Sequence, residues 1–264
     1  MEILAKTVET QTVSAGLADD ARPVVRPVAK AEGIHLAFGG HCILNGVSFD
    51  LAPKRAVLLR GDNGSGKTTL LNTLSGFLRP DKGQIHLNLN GRSFDAVRTR
   101  PERLARAGLG RLWQDIRLFP TMTVLENVLA ASAGLIGLNP ALALAAWPVS
   151  RRQERRAKEK AFANLELVGM ADRADSSGDK LSVGQMKRVA IARMLQSEAE
   201  LMLLDEPLTG LDRDSLDGLI SLLNRLNQEQ GKTLLIVEHQ HEQMAPMCHE
   251  TWYLEDGKLG TWII

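Results

Sequence analysis

Hydrophobic positions in this chain fall into short blocks, most of them too brief for helices. Ile34-His35-Leu36-Ala37-Phe38, Val47-Ser48-Phe49-Asp50-Leu51 and Ala56-Val57-Leu58-Leu59-Arg60 predict three β-strands at the start of a sheet. Leu201-Met202-Leu203-Leu204 and Leu234-Leu235-Ile236-Val237 are unbroken apolar runs, each followed by an acidic residue. Parallel strands look like this when helices cover both faces of their sheet, and ligands then bind at the carboxyl ends of the strands. Between the two groups the periodicity changes. Ala157, Ala161, Leu165 and Val168 recur at helical spacing, so about 115–185 is expected to form a helical subdomain inserted into an α/β core. Trp252-Tyr253-Leu254, the pair Asp256-Gly257 and Leu259 predict a terminal hairpin. Residues 1–30 show no sustained period and read as an extended or disordered leader to a domain covering 31–264.

Composition narrows the functional classes. At 264 residues and 44% hydrophobic content, the chain is able to bury a sizeable core. Thirty-two basic residues against 31 acidic ones leave a net charge of +1, so no overall field draws it to nucleic acid, and no nucleic-acid partner is expected. Cys42 and Cys248 stand far apart without a second thiol at metal-ligand spacing, which suits a reduced compartment. Apolar stretches are interrupted well short of the ~18 residues that a membrane helix needs, and no export signal is recognisable.

The candidate chemistry begins after the Ala56 strand. Gly61-Asp62-Asn63-Gly64-Ser65-Gly66-Lys67-Thr68 fits the phosphate-loop pattern G-x-x-x-x-G-K-[ST], and a helical run follows from Thr69, which closes the set of candidate nucleotide contacts. Glycines let backbone N–H groups converge on a phosphate chain, and the helix adds the positive end of its dipole. Lys67 adds a full charge and Thr68 a hydroxyl for Mg²⁺. Such a loop also serves kinases and GTPases. The Leu201 strand ends in Asp205-Glu206, and adjacent acids have distinct work where a cation and a reacting water meet. Asp205 is expected to hold Mg²⁺ and Glu206 to polarise the water. Leu181-Ser182-Val183-Gly184-Gln185 precedes a helix expected from about Met186, and its Ser182 hydroxyl and Gly184 N–H suit a second anion cradle.

In this order and spacing the three motifs resemble those of ATP-binding cassette proteins, whose signature is usually written L-S-G-G-Q; Val183 replaces the first glycine. The resemblance covers roughly Glu32 to Leu259. It implies a phosphate-loop ATPase core, mainly parallel sheet flanked by helices, with an N-terminal antiparallel β part. It also implies ATP hydrolysis with Mg²⁺ at two sites shared by a head-to-tail pair, either a homodimer or a heterodimer with a paralogous ATPase. Ser182, Gly184 and Gln185 would then serve ATP held by the opposite subunit. Matching by order, Gln114 resembles the Q-loop glutamine near Mg²⁺ and water, His239 the switch histidine on the γ-phosphate, and Asp212 the D-loop acid at the dimer seam. Phe38 resembles the upstream aromatic that stacks on adenine. The segment from Gln114 to Val128 resembles ATPases of branched-chain amino-acid importers, as do the long Leu138–Gly169 stretch and Val237-Glu238-His239. That implies transmembrane permease subunits as partners, received near Leu118, Phe119, Met122 and Val124, and a cytoplasmic location on the inner face of the membrane. Cassette ATPases acting on ribosomes or DNA commonly have tandem cassettes, coiled-coil inserts or strongly basic surfaces, none of which is evident here.

Overall fold

Alternation decides which way each residue of the central sheet faces. The computed structural model describes residues 26–132, 147–239 and 241–263; residues 1–25 of the expected leader and 138–146 of the long stretch lie outside them. Strands run in chain order as β1 (Ala29–Phe38), β2 (His41–Leu51), β3 (Ala56–Arg60), β4 (Lys82–Leu89), β5 (Arg92–Asp95), β6 (Leu109–Leu112), β7 (Leu201–Asp205), β8 (Thr233–Val237), β9 (Glu250–Glu255) and β10 (Lys258–Ile263). The helices are α1 (Lys67–Leu74), α2 (Pro101–Ala107), α3 (Val124–Leu129), α4 (Trp147–Leu167), α5 (Val183–Gln196), α6 (Arg213–Gln228) and α7 (His241–Met244).

Two sheets result. One is antiparallel in the order β2-β1-β4-β5; the other is ordered β10-β9-β3-β8-β7-β6 and is parallel except for the β9–β10 hairpin. The unbroken apolar runs are explained by burial on both faces. Ala56, Leu58, Met202, Leu204, Leu234 and Ile236 point into one core, with α5, α6 and the helical subdomain. Their neighbours Val57, Leu59, Leu201, Leu203, Leu235 and Val237 point into another, with α1 and the antiparallel sheet. Each fully buried Leu or Val contributes about 1.5–3 kcal/mol relative to exposure. Phe49 and Trp252, with ring centroids 4.7 Å apart, tie the two sheets together.

The α/β core and the terminal hairpin appear as the sequence pattern suggested, and the antiparallel N-terminal part as the resemblance implied; the first three strands, expected to begin one sheet, divide between two, with β1 and β2 in the antiparallel sheet and β3 in the other. Other differences lie at element ends. Strand β1 begins at Ala29, inside the segment read as leader, because Ala29 and Ala31 are buried against the core and pair with Leu51 and Phe49. Helix α5 begins at Val183 rather than near Met186, because Ser182 caps it. Within 115–185 the described helices are α3, α4 and the start of α5, joined by 3-10 turns at Ala171–Arg173 and Gly178–Lys180.

Candidate nucleotide-binding and hydrolysis site

The phosphate loop lies between β3 and α1, and its last glycine marks the change from loop to helix. Gly66 has φ 100°, and a Cβ there would stand 2.9 Å from the Ile43 side chain, so only glycine fits. Lys67 is 6% exposed, and its ammonium donates to the carbonyls of Gly61 at 2.7 Å and Asp62 at 2.8 Å. Burial lowers its pKa, against the attraction of Glu206, Asp62 and Asp205. The Ser65 hydroxyl is buried without a protein hydrogen-bond partner, a polar atom suited to a loop built for anions. Beside the loop, Cys42, Ile43 and Gly64 help line a cavity of about 430 Å³. A second, of about 290 Å³, lies between Asp62, Glu238 and His239. A larger one, about 890 Å³, lies along β9 and β10 by Arg60 and Lys258 and holds none of the candidate residues.

Strand β7 delivers both acids into unlike surroundings. Asp205 is 2% exposed and pairs with Arg111 of β6 at 3.3 Å, while the Thr68 hydroxyl donates to its other oxygen at 3.5 Å. Burial raises the Asp205 pKa above its ordinary value, and Arg111 restrains that rise. Glu206, one residue on, takes φ 48° and turns toward the open side of the site. Its carboxylate accepts from Gln114 Nε2 at 2.9 Å and from Thr209 Oγ1 at 3.2 Å, and it lies 3.2 Å from His239 Nε2. Gln114, Glu206 and His239, far apart in sequence, thus converge at the carboxyl ends of β6, β7 and β8.

Ser182, Gly184, Gln185 and Asp212 form a second group, at the adjoining starts of α5 and α6. Ser182 and Gln185 cap each other: the hydroxyl accepts the Gln185 N–H at 3.3 Å and the Gln185 side-chain oxygen accepts the Ser182 N–H at 3.0 Å. A Cβ on Gly184 would come within 3.1 Å of the Ser215 side chain, so α5 and α6 pack closely at this glycine. Val183 occupies the first helical turn, 41% exposed, with its side chain outward. Asp212 caps α6 through the Ser215 N–H at 2.8 Å and its hydroxyl at 3.0 Å, and these bonds lower its pKa. Phe38 ends β1 half-exposed, on the hairpin whose Ile43 packs against Gly66.

Three contributors escaped the motif reading. Arg111 sits with its guanidinium 3.8 Å from the Trp113 ring and donates to Ser75 Oγ at 2.7 Å. Glu238, 2% exposed, accepts the Leu208 N–H and the His239 N–H, joining the turn after β7 to the end of β8. Lys187 of α5 is also 2% exposed. Each had a signal: a charge inside an apolar strand, at the end of one, or on the apolar stripe of a helix.

Among the described residues no cluster of three or more His, Cys, Asp or Glu is arranged to hold a metal ion. The Thr68 hydroxyl beside the Asp205 carboxylate is nevertheless a hard-oxygen pair that fits Mg²⁺ shared with phosphate oxygens. No described helix is long and apolar enough to cross a membrane.

Residues 44–209 match the family model for ABC transporters. The chain is 36% identical over 232 residues to the high-affinity branched-chain amino acid transport ATP-binding protein BraF of Pseudomonas aeruginosa, an alignment covering 88% of this chain and 89% of the relative. Among solved structures, it is similar to a nucleotide-free ATP-binding cassette from an ABC transporter, with a TM-score of 0.74 and 29% identity over 89% of this chain and 91% of that one. A dimeric cassette in a post-hydrolysis state, bound to ADP and Pi, gives a TM-score of 0.69 at 25% identity, covering 89% and 98%. With a phosphate loop, paired strand-end acids and a capped signature helix on this fold, the chain belongs to the ABC transporter family, as an ATP-binding cassette that hydrolyses ATP.

Proposed function

We propose that the chain is one of two ATPase subunits that power a separate membrane permease, for uptake of branched-chain amino acids or similar small solutes. The observation that carries the hydrolytic part is the convergence of Gln114 and His239 on Glu206. Lys67 exchanges its loop carbonyls for phosphate oxygens, joined by the loop N–H groups and the Ser65 hydroxyl. Thr68, Asp205 and the Gln114 side-chain oxygen would hold Mg²⁺, which when bound neutralises charge on the phosphate oxygens. Glu206 then orients water in line with the γ-phosphorus, and His239 and Gln114 fix the direction of its carboxylate. Positioning and charge stabilisation account for most of the rate enhancement in this type of reaction.

Ser182, the Gly184 N–H and the start of α5 serve the opposite subunit's ATP, with Gln185 holding the cap and Asp212 near the seam; the ADP-bound dimeric relative supports such a pairing. For the permease, Phe119 and Met122 are 46% and 38% exposed and offer apolar contact surface. Val124 is fully buried and Leu118 packs against the core, so their apolar character already has a structural explanation. The named role of BraF supports the choice of solute, and permease attachment would place the chain on the cytoplasmic face of the membrane.

Light scattering of Glu206→Gln with and without MgATP tests the shared site. A monomer that becomes a dimer only with MgATP is the expected result. A variant that binds ATP yet stays monomeric would overturn the homodimeric reading.

A further inference from the structure

Helix α5 faces the core with Gly184, Lys187, Ile191 and Leu195, an apolar stripe broken by one ammonium. Burying a charge is costly unless its protons are met. Those of Lys187 are met by a single turn: its Nζ donates to the carbonyls of Glu206 at 3.1 Å, Pro207 at 2.7 Å and Thr209 at 2.6 Å. Three carbonyl oxygens converging on one point repel one another unless a cation sits among them. The same turn begins with Glu206 at φ 48°, a left-handed conformation uncommon for a residue with a Cβ. Lys187 therefore holds in place the backbone that aims the Glu206 carboxylate at Gln114 and His239.

The other end of α5 is the Ser182 cap. Lys187 lies five positions after Ser182, about 7.5 Å along a rigid helix at 1.5 Å per residue. We propose that Lys187 is a positioning residue that couples the Ser182 end of α5 to Glu206, so that ATP engaged by a subunit's signature aligns the carboxylate in that subunit's own site. The coupling rests on the shared-site reading above. Lys187 itself reaches backbone carbonyls only, so its loss acts on alignment rather than on nucleotide affinity.

The test compares Lys187→Met, which keeps the length of the stem, with Lys187→Gln, which keeps N–H donors. Steady-state ATPase is measured for each, and MgATP binding and ATP-driven dimerisation in the Glu206→Gln background. For Lys187→Met we expect kcat to fall about 30- to 100-fold, the scale of a small misplacement of a catalytic group. MgATP affinity should stay within about threefold, because the interaction lost is made to the aligned state and not to nucleotide. Lys187→Gln should recover part of kcat, and it alone is read if the Met variant does not fold. Adding Ser182→Ala should lower kcat by a smaller factor in Lys187→Met than in the parent, because only its direct contact with the opposite ATP then remains to be lost. Unchanged kcat, or loss of kcat together with binding and dimerisation, would refute the positioning role. Independent, multiplicative effects of the two substitutions would refute the coupling. Failure of Glu206→Gln to dimerise with MgATP would instead remove the homodimeric form of the shared-site reading, and the kcat comparison would still judge the alignment of Glu206.

Discussion

Arg111→Met should destabilise the nucleotide-free protein by about 3 kcal/mol, the lower end of the range for breaking a buried ion pair from one side. The side chains of Arg111 and Asp205 are only 6% and 3% exposed, so water cannot replace the lost partner. Asp205 would keep only the Thr68 contact at 3.5 Å, and Ser75 Oγ would lose its guanidinium donor. Two effects soften the loss. Burial pulls the Arg111 pKa down to about 10, so the guanidinium itself carries a desolvation cost that methionine does not, and the methionine stem keeps contact with the Trp113 ring. For a chain near this length about 3 kcal/mol corresponds to a melting shift of about 6–12 °C.

Thermal and urea unfolding of Arg111→Met, Asp205→Asn and the double variant would measure the effect. Arg111→Met with Asp205→Asn should recover most of the stability lost in Arg111→Met, because the uncompensated carboxylate is gone. Acid offers a second check. The Asp205 pKa is already raised in the fold, so its ionised form costs stability above that pKa, a cost relieved as pH falls through it. Without Arg111 the pKa rises further, so the deficit of the variant should shrink as pH falls from neutral and the carboxylate takes up its proton. A variant melting within about 2 °C of the parent, below 1 kcal/mol on the same scale, would refute the reasoning. So would a double variant whose loss is the sum of the two single losses.

Burial pulls the Lys187 pKa down to about 8, against Glu238 and Glu206, so kcat should decline as pH rises through about 8 and the ammonium loses a proton; the Lys187→Gln profile should stay flat on that limb. Ser182→Ala removes a cap from α5 and should cost about 1 kcal/mol in urea unfolding, alongside its kinetic effect. Gly66→Ala should weaken ATP binding in calorimetry, and adding Ile43→Ala should restore it only partly, because the steric contact is relieved but φ 100° is not. Met122→Lys with Phe119→Asp should abolish co-purification with the permease while the ATPase rate of the isolated chain stays unchanged.

The strands and motifs were legible for different reasons. Runs such as Leu201–Leu204 are apolar on both alternations, a pattern that comes from two cores meeting one sheet. The phosphate loop was legible because Gly66 and Lys67 are locally constrained, one by torsion and contact, the other by loop carbonyls. The motif pattern places the start of α5 late because the Ser182–Gln185 capping box lies within the motif itself, where the same residues also suit an anion cradle. Arg111 and Lys187 carry no motif signal because their partners lie 36 and 94, and 19 to 22, residues away or are backbone atoms; Glu238 stands in the quoted Val237-Glu238-His239, but its bond to Leu208 spans 30 residues, and no local periodicity encodes such pairings. Of the residues proposed to receive the permease, Val124 is buried and Phe119 exposed, a difference that their apolar character in the sequence does not encode.

The pairing of β7 with β8 has a further consequence. Asp205 lies opposite Val237, and the Glu206 N–H bonds the Val237 carbonyl at 2.8 Å, so the spacing between the carboxylate and His239 is set by the ladder that holds the core. Neither group can be retuned without disturbing a strand buried on both faces. Volume changes at Leu204 or Ile236, remote from nucleotide, should therefore surface as kinetic defects before they surface as unfolding.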